Sequence, residues 1–156
     1  MISYAHAVDI HVSPVGGDSN SGTAVKKPSL NAIAETPVNG FDRYQVETAK
    51  GTISVVCPKH ASPGKPWMWR SIFWGATSGA VARFTQGDLK LLERGYHVVI
   101  APGDVSGHPR GNAAIDAAYE MLTQEYGFSK MLSMASMSRE TLALFRWASV
   151  NPEKVE

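Results

Sequence analysis

The sequence predicts an α/β fold in three layers, with a mainly parallel sheet between two layers of helices. Over roughly its last hundred residues, short apolar runs typical of strands alternate with longer runs that have helical spacing. Consecutive strand–helix–strand units of this kind give right-handed crossovers and therefore parallel strands. A chain of 156 residues with 44% hydrophobic and 19% charged residues is long and apolar enough to bury one core.

The composition excludes several functional classes. With 15 Lys+Arg against 14 Asp+Glu, the net charge of +1 offers no basic surface for nucleic acid. The single cysteine, Cys57, excludes an intramolecular disulfide and a multi-cysteine zinc site, and we expect no metal and no cofactor. No basic, apolar leader opens the sequence and no apolar run is long enough to span a membrane, so we expect a cytoplasmic chain.

The first forty residues differ in character from the rest. Residues 13–22 read Ser-Pro-Val-Gly-Gly-Asp-Ser-Asn-Ser-Gly, a composition typical of turns. Further turn-forming residues precede residue 41, where strand patterning begins. We therefore expect a turn-rich segment over 1–40 and a folded domain over 41–156.

The domain is expected to open with a hairpin. Residues 43–48 and 52–57 have strand patterning around a turn at 49–51, and the second strand is apolar enough to be covered on both faces. A loop is then expected from Pro58 through Phe73, because prolines and glycines are frequent in its first half.

Three helices and two further strands complete the pattern. A helix at 88–94 ends at Gly95, a strand covers 96–101, and a helix from Asn112 ends at Gly127. A strand at 131–136 precedes a last helix at 139–149, which has Leu142, Phe145 and Ala148 on one side.

In such sheets, ligands bind at the loops that follow the carboxyl ends of the strands, here 58–73, 102–111 and 137–140. Ser138 takes the serine position of a nucleophile elbow, G-x-S-x-G, although Ser136 and Glu140 replace the glycines. The backbone N–H of Arg139 would then be one oxyanion donor. A second donor is expected from a loop formed by Trp67, Met68, Trp69 and Arg70. The alternative is that Ser138 only caps a helix.

Residues 41–156 resemble the first half of a bacterial α/β-hydrolase family of serine-hydrolase type. The segments that carry this resemblance are 41–44, 55–59, 63–70, 91–99, 126–130, 137–139 and 147–155. The family's elbow reads Gly-Met-Ser-Arg-Gly-Gly, so its nucleophile maps onto Ser138. Its Gly-Lys-Pro-Trp-x-Trp-Arg segment maps onto 64–70, where the oxyanion loop is expected. The resemblance therefore implies a partial α/β-hydrolase fold and acyl transfer from a small-molecule or carbohydrate ester.

The first forty residues resemble the opening of secreted parallel β-helix proteins of the pectate-lyase type. The matching segments are 12–14, 17–18, 21–23 and 27–28. Together with the tryptophans that follow residue 66, this suggests a carbohydrate-associated module as an alternative function. The relatives that both resemblances imply are exported proteins.

The residues after Ser138 contain no histidine, whereas in α/β-hydrolases the acid and the histidine follow the serine. His108, in a loop with Asp104, is the local candidate for a base; its alternative is a solvated loop residue. We therefore expect weak or absent activity. The competing reading is a non-catalytic protein that self-associates through an exposed sheet edge.

Overall fold

A computed structural model describes residues 33–34, 37–71, 84–101, 109–137 and 140–156. These residues form one sheet of six strands, three α-helices and a short 3-10 helix at Pro152–Lys154. The strands are β1 (Ile33–Ala34), β2 (Arg43–Thr48), β3 (Gly51–Val56), β4 (Trp67–Ser71), β5 (His97–Ala101) and β6 (Ser133–Ala135). The helices are α1 (Gln86–Glu93), α2 (Pro109–Gln124) and α3 (Glu140–Val150).

The strand order is β1-β2-β3-β5-β4-β6, and the sheet is mixed. β1, β2, β3 and β5 pair antiparallel in that order, whereas β4 pairs parallel with both β5 and β6. The predicted α/β class is confirmed. The mainly parallel character holds only for β4, β5 and β6, because the hairpin turns the chain back before it joins β5.

Two cores lie on opposite faces of the sheet. The larger core includes Trp67, Trp69 and Val99 with residues from α2 and α3, and the smaller one includes Met68 and Val98 with Leu92 of α1. The crossover from β4 to β5 and the crossover from β5 to β6 run in opposite directions along the sheet. Since both kinds of crossover are right-handed in nearly all proteins, α1 and α2 must lie on opposite faces.

The hairpin prediction is confirmed for β2 and β3, whose ladder runs from Arg43 opposite Val56 to Thr48 opposite Gly51. β3 is covered on both faces, as expected. Its Val55 side chain lies in the larger core and its Val56 side chain lies in the smaller one, both fully buried.

The expected loop over 58–73 is wrong in its second half, where the chain forms β4. Trp67 and Trp69 enter one core and Met68 enters the other, which is the period-two alternation of a strand buried on both faces. Pro66 and Gly64 terminate the loop before this strand rather than extending it.

The last helix buries a different side from the apolar stripe seen in the sequence. Ala143, Leu144 and Trp147 of α3 are buried, whereas Leu142 is 67% exposed and Phe145 is 70% exposed.

The sheet begins earlier than residue 41, because β1 pairs with β2 and Val38 belongs to the smaller core. The division into segments 1–40 and 41–156 stays a prediction, since residues 1–32 lie outside the described part.

Candidate functional site

The carboxyl ends of β4, β5 and β6 lie level with one another. Ser71 is paired with Ala101, and Arg70 is paired with Ala135. α1, the helix that follows β4, packs on one face of the sheet, whereas α2 and α3, which follow β5 and β6, pack on the opposite face. In open α/β sheets, ligands bind at the carboxyl ends of strands where the following helices change from one face to the other.

The connection between β6 and α3 has the strand–turn–helix arrangement that a nucleophile elbow requires. β6 ends at Ala135 and α3 begins at Glu140, so four residues make the turn. The Ser136 hydroxyl donates a hydrogen bond to Thr141 Oγ1 at 3.0 Å and thereby joins the strand end to the first turn of α3. Ser138 and Arg139 are the last two of these four residues in the sequence, and they lie outside the described residues.

Glu140 stands where the elbow pattern has its second glycine. Its side chain is fully buried in the first turn of α3. The Glu140 side chain, which replaces the glycine of the elbow pattern, therefore lies in the protein interior and not at its surface.

Trp67, Met68 and Trp69 lie in β4 rather than in a loop, so the expected position of the second oxyanion donor is wrong. Their side chains are 0%, 4% and 0% exposed and pack in the two cores. The Trp67 indole donates to the backbone oxygen of Ser129 at 2.8 Å, and the Trp69 indole donates to Ser71 Oγ at 3.1 Å. A donor at the carboxyl end of β4 would have to come from the residues that follow Ser71, which are not described.

Arg70 makes an ion pair within the protein. Its Nη1 lies 2.9 Å from Asp88 Oδ1, and Asp88 is only 3% exposed. The other carboxylate oxygen accepts hydrogen bonds from the Thr85 backbone N–H at 2.7 Å and the Thr85 hydroxyl at 2.9 Å. This ion pair within the protein accounts for the position of the Arg70 side chain.

Thr85 and Asp88 form a capping box at the start of α1, a signal that the sequence analysis missed. The pattern Thr-x-x-Asp was present in the sequence. Through Arg70 on one side and Thr85 on the other, Asp88 joins the end of β4 to the start of α1. It therefore fixes the two points between which residues 72–83 run.

His108 and Asp104 lie outside the described residues. His97 is described, and it occupies the amino end of β5, the edge opposite the candidate site. It is 1% exposed, its ring centroid lies 4.4 Å from that of Phe128, and its Nδ1 lies 3.4 Å from the backbone oxygen of Pro66. Burial lowers the pKa of His97 to about 4 despite the bond to Pro66, which makes a structural role the consistent interpretation.

A groove of about 230 Å³ lies beside the elbow, between β6 and α3. Its walls are formed by Met134, Ser136, Thr141, Leu144, Phe145, Ala148, Val155 and Glu156. This volume is smaller than the roughly 300 to 1,000 Å³ of most small-molecule pockets. Across the described ranges, no helix is long and apolar enough to cross a membrane, and no three His, Cys, Asp or Glu side chains are grouped to hold a metal.

No protein-family model matches the sequence, and no curated protein matches it. Several solved structures do. Lipase A from Candida antarctica, in its closed state, matches 82% of this chain with a TM-score of 0.54 and 11% identity. A fluorophosphonate-binding serine hydrolase of Staphylococcus aureus matches 80% with a TM-score of 0.53 and 15% identity. A glucuronoyl esterase of Solibacter usitatus matches 86% with a TM-score of 0.52 and 14% identity.

This chain spans 39% of the lipase, 52% of the serine hydrolase and 52% of the glucuronoyl esterase. At identities of 11–15%, these matches concern the fold and not the site. The described residues adopt part of an α/β-hydrolase fold.

Proposed function

We propose that this protein is an α/β-hydrolase-like protein whose chemistry is acyl transfer to Ser138 from a small-molecule or carbohydrate ester. Ser138 Oγ attacks the ester carbonyl, the alcohol leaves, and water then releases the acid from the acyl-enzyme. The backbone N–H of Arg139 and a donor from the chain after β4 hold the oxyanion. Esterases among the similar structures, including a glucuronoyl esterase and an acetyl xylan esterase, support an ester substrate.

The observation that carries this proposal is the turn between β6 and α3. It lies at the carboxyl edge of the parallel strands, it is four residues long, and the Ser136–Thr141 hydrogen bond closes its base. A serine in the middle of such a turn lies at the amino end of a helix, where unpaired N–H groups favour developing negative charge.

We propose further that the 156-residue chain is a slow enzyme on its own. A serine hydroxyl without a neighbouring base is a weak nucleophile, and no histidine follows Ser138 in this sequence. His108 is the proposed local base, held by Asp104, because it follows the carboxyl end of β5. Without any base, an oxyanion hole and substrate binding leave a residual rate of about 10³ to 10⁴ over water.

Labelling with a fluorophosphonate tests the proposal. This reagent reacts with activated serines, and a fluorophosphonate-binding protein is among the similar structures. We expect the purified chain to be labelled and the Ser138→Ala variant to lose the label. Ser133→Ala is the matched control, because Ser133 lies on β6 with its hydroxyl directed to the exposed Glu156 carboxylate at 3.2 Å.

The variants also separate the role of His108. If it is the base, His108→Ala lowers the labelling rate of Ser138 and removes its dependence on pH near neutrality. Absence of labelling in a chain that unfolds cooperatively would contradict the proposed chemistry. Ser138 would then be the residue that caps α3, and the function would be one of binding.

The carbohydrate-associated module has less support than the hydrolase. Trp67 and Trp69 are fully buried, so their rings cannot stack on a sugar. The remaining arguments are Trp74, which lies outside the described residues, and the resemblance of residues 1–40, which rests on sequence alone. Retardation of the chain on a polysaccharide gel would restore this alternative.

A further inference from the structure

The ion pair between Arg70 and Asp88 uses only part of the guanidinium group. Asp88 divides its two carboxylate oxygens between two partners, because Oδ1 lies 2.9 Å from Arg70 Nη1 whereas Oδ2 accepts hydrogen bonds from the Thr85 N–H and hydroxyl. Arginine and carboxylate groups frequently pair through two parallel N–H···O bonds. Here a single arginine nitrogen makes the contact, so the other guanidinium N–H groups are available to a second anion.

The remaining nitrogens of Arg70 are accessible to solvent. In the described part of the chain, Asp88 is the one polar partner of this guanidinium, and no Arg70 nitrogen is among the buried side-chain atoms that lack a partner. The Arg70 side chain is 20% exposed, whereas that of Asp88 is 3% exposed. The fold therefore fixes one side of the guanidinium on a buried carboxylate and leaves its other side in contact with solvent.

The positive charge of Arg70 is only partly compensated by Asp88. The Asp88 carboxylate also accepts two hydrogen bonds from Thr85, and it lies in the first turn of α1, where the helix dipole favours a negative charge. A guanidinium matches the planar geometry of a carboxylate. A single, partly compensated cation also suits the one charge of a carboxylate better than the nearly double charge of a phosphate group.

Arg70 lies at the edge of the sheet where we propose the chemistry. It is the penultimate residue of β4 and is paired with Ala135, the last residue of β6. The turn that follows Ala135 contains Ser138, three residues later in the sequence. Neighbouring strands are about 4.8 Å apart, and β4 and β6 are followed by helices on opposite faces, which is where open α/β sheets bind ligands. An anion on Arg70 is therefore one strand away from the β6–α3 turn.

We propose that Arg70, held in place by Asp88, binds a free carboxylate group of the ligand. The substrate is then an ester that also carries a negative charge, rather than a fully neutral ester. This description of the substrate rests on the acyl transfer proposed above, whereas carboxylate binding at Arg70 does not. Asp88 is a positioning residue, because it contacts Arg70 and not the ligand.

Two small esters that differ by one charge test the site. Monomethyl glutarate carries a free carboxylate beside its methyl ester, whereas dimethyl glutarate carries none. Each is titrated into the full chain with Ser138→Ala, which removes the proposed nucleophile. The backbone amide NMR signals of β4 and α1 give the affinity, and the Nε–H signal of Arg70 locates the binding. We expect monomethyl glutarate to shift the Arg70 signal and to bind about tenfold or more tightly than dimethyl glutarate, because hydrogen bonds between charged groups are strong.

Inorganic phosphate is the third ligand in the titration. It tests whether the site accepts any anion that a guanidinium can bind. We expect phosphate to bind less tightly than monomethyl glutarate, because a second negative charge is repelled by the neighbouring Asp88 carboxylate.

Substitutions of Arg70 test whether this residue is the receptor. Arg70→Lys keeps a positive charge beside Asp88 but lacks the planar fork. Arg70→Gln combined with Asp88→Asn removes both charges and leaves no buried carboxylate unpaired. We expect both chains to bind monomethyl glutarate less tightly, by about tenfold or more for the double variant. Arg94→Gln is the matched control, because Arg94 is an exposed arginine at the other end of α1, and it should leave the affinity unchanged.

Equal affinities for the two esters overturn the proposal, and so does tighter binding of inorganic phosphate. An unchanged affinity in the double variant, shown to unfold cooperatively, overturns it as well, as does an equal loss in Arg94→Gln. Fluorophosphonate labelling of Ser138 is measured separately. A chain that binds monomethyl glutarate at Arg70 but is not labelled retains the carboxylate site without the acyl transfer, and a labelled chain that does not distinguish the two esters retains the acyl transfer without the site.

Discussion

The two ends of the parallel strands β4, β5 and β6 are built differently. At the amino end, the His97 N–H donates to the Pro66 oxygen at 2.9 Å, and the Ser129 N–H donates to the Lys65 oxygen at 3.1 Å. The Trp67 indole donates to Ser129 as well. At the carboxyl end, Met137, two residues after β6, is 68% exposed.

We therefore expect substitutions at the amino end of the strands to change stability and substitutions at the carboxyl end to change reactivity. The amino end closes the core with backbone hydrogen bonds and buried rings, and substitutions there should act on folding. Among the described residues, the carboxyl end has the buried Asp88, which joins β4 to α1, and the β6–α3 turn, for which we propose the nucleophile. Substitutions in that turn should act mainly on reactivity. Such a division is typical of folds in which ligands bind beyond the carboxyl ends of parallel strands.

The largest effect is expected at the amino end, from Gly95→Ala. Gly95 has a φ of +86°, and an added Cβ would lie 2.6 Å from the Ser62 backbone nitrogen and 2.8 Å from the His60 oxygen. Strain and collision with backbone together should lower the free energy of unfolding by about 3 kcal/mol or more. Urea unfolding measures this.

Gly64→Ala is the matched control at the same end. Its φ is +78°, but nothing lies within 4 Å of the added Cβ. Only the backbone strain remains, about 1 kcal/mol. Equal destabilisation by the two variants would mean that the contact of Gly95 with Ser62 is not tight.

At the carboxyl end, Asp88→Ala tests the contacts that join β4 to α1, because it removes the carboxylate that binds Arg70 and Thr85. It leaves Arg70 and the Thr85 N–H without their partner, which should cost about 2 to 3 kcal/mol of the free energy of unfolding. Glu93→Ala is the control, since the Lys90–Glu93 pair is exposed and should contribute less than about 0.5 kcal/mol. A similar decrease of the free energy of unfolding in both variants would show that the Arg70–Asp88 pair contributes no more to stability than an exposed ion pair does.

The pH dependence of stability tests whether His97 is buried as a neutral ring at the amino end of β5. Folding lowers the pKa of His97 from 6.5 to about 4, chiefly because burial disfavours the charged ring, with Lys65 adding repulsion. Below pH 6.5, His97 therefore binds a proton in the unfolded chain, whereas in the folded chain it binds this proton only when the pH falls to about 4. Stability is full above pH 6.5 and falls as the pH falls toward 4.

Between pH 7.5 and pH 5, His97 should account for about 2 kcal/mol of lost stability. The His97→Gln variant lacks this contribution, so the two proteins should differ in how steeply their urea midpoints change with pH. Parallel midpoint curves would mean that His97 is not held neutral by the fold.

The smallest effect on stability is expected from Ser136→Ala at the elbow. It removes the hydrogen bond to Thr141 Oγ1 and should cost about 1 kcal/mol. Ser133→Ala, whose hydroxyl reaches an exposed carboxylate, should cost less than about 0.5 kcal/mol. If Ser138 is the nucleophile, Ser136→Ala should also slow its labelling by fluorophosphonate, whereas Ser133→Ala should not.

Local patterns predicted much of the fold correctly. The β2–β3 hairpin followed from two strand-like runs around a short turn, and the ends of α1 and α2 followed from Gly95 and Gly127. Both glycines have positive φ, a conformation that other residues adopt at a cost.

The errors arose where distant residues decide the conformation. Trp67–Ser71 was assigned to a loop because the prolines and glycine before it dominate the local composition, whereas its pairing with β5 and β6 makes it a central strand. Arg70 could not be matched with Asp88, because the two residues are 18 positions apart and meet only when α1 packs beside β4.

The sequence by itself determined the α/β class, the hairpin and most helix ends, because each depends on residues close together in the chain; the role of Ser138 as nucleophile stays a prediction from the same kind of local pattern. Only the tertiary structure decided which side of α3 is buried and how β4 enters the sheet. Leu142 and Phe145 have the spacing of a buried stripe, yet the sheet lies against Ala143, Leu144 and Trp147 instead. Periodicity shows that a helix has an apolar side, but the partner that packs against it determines which side is covered.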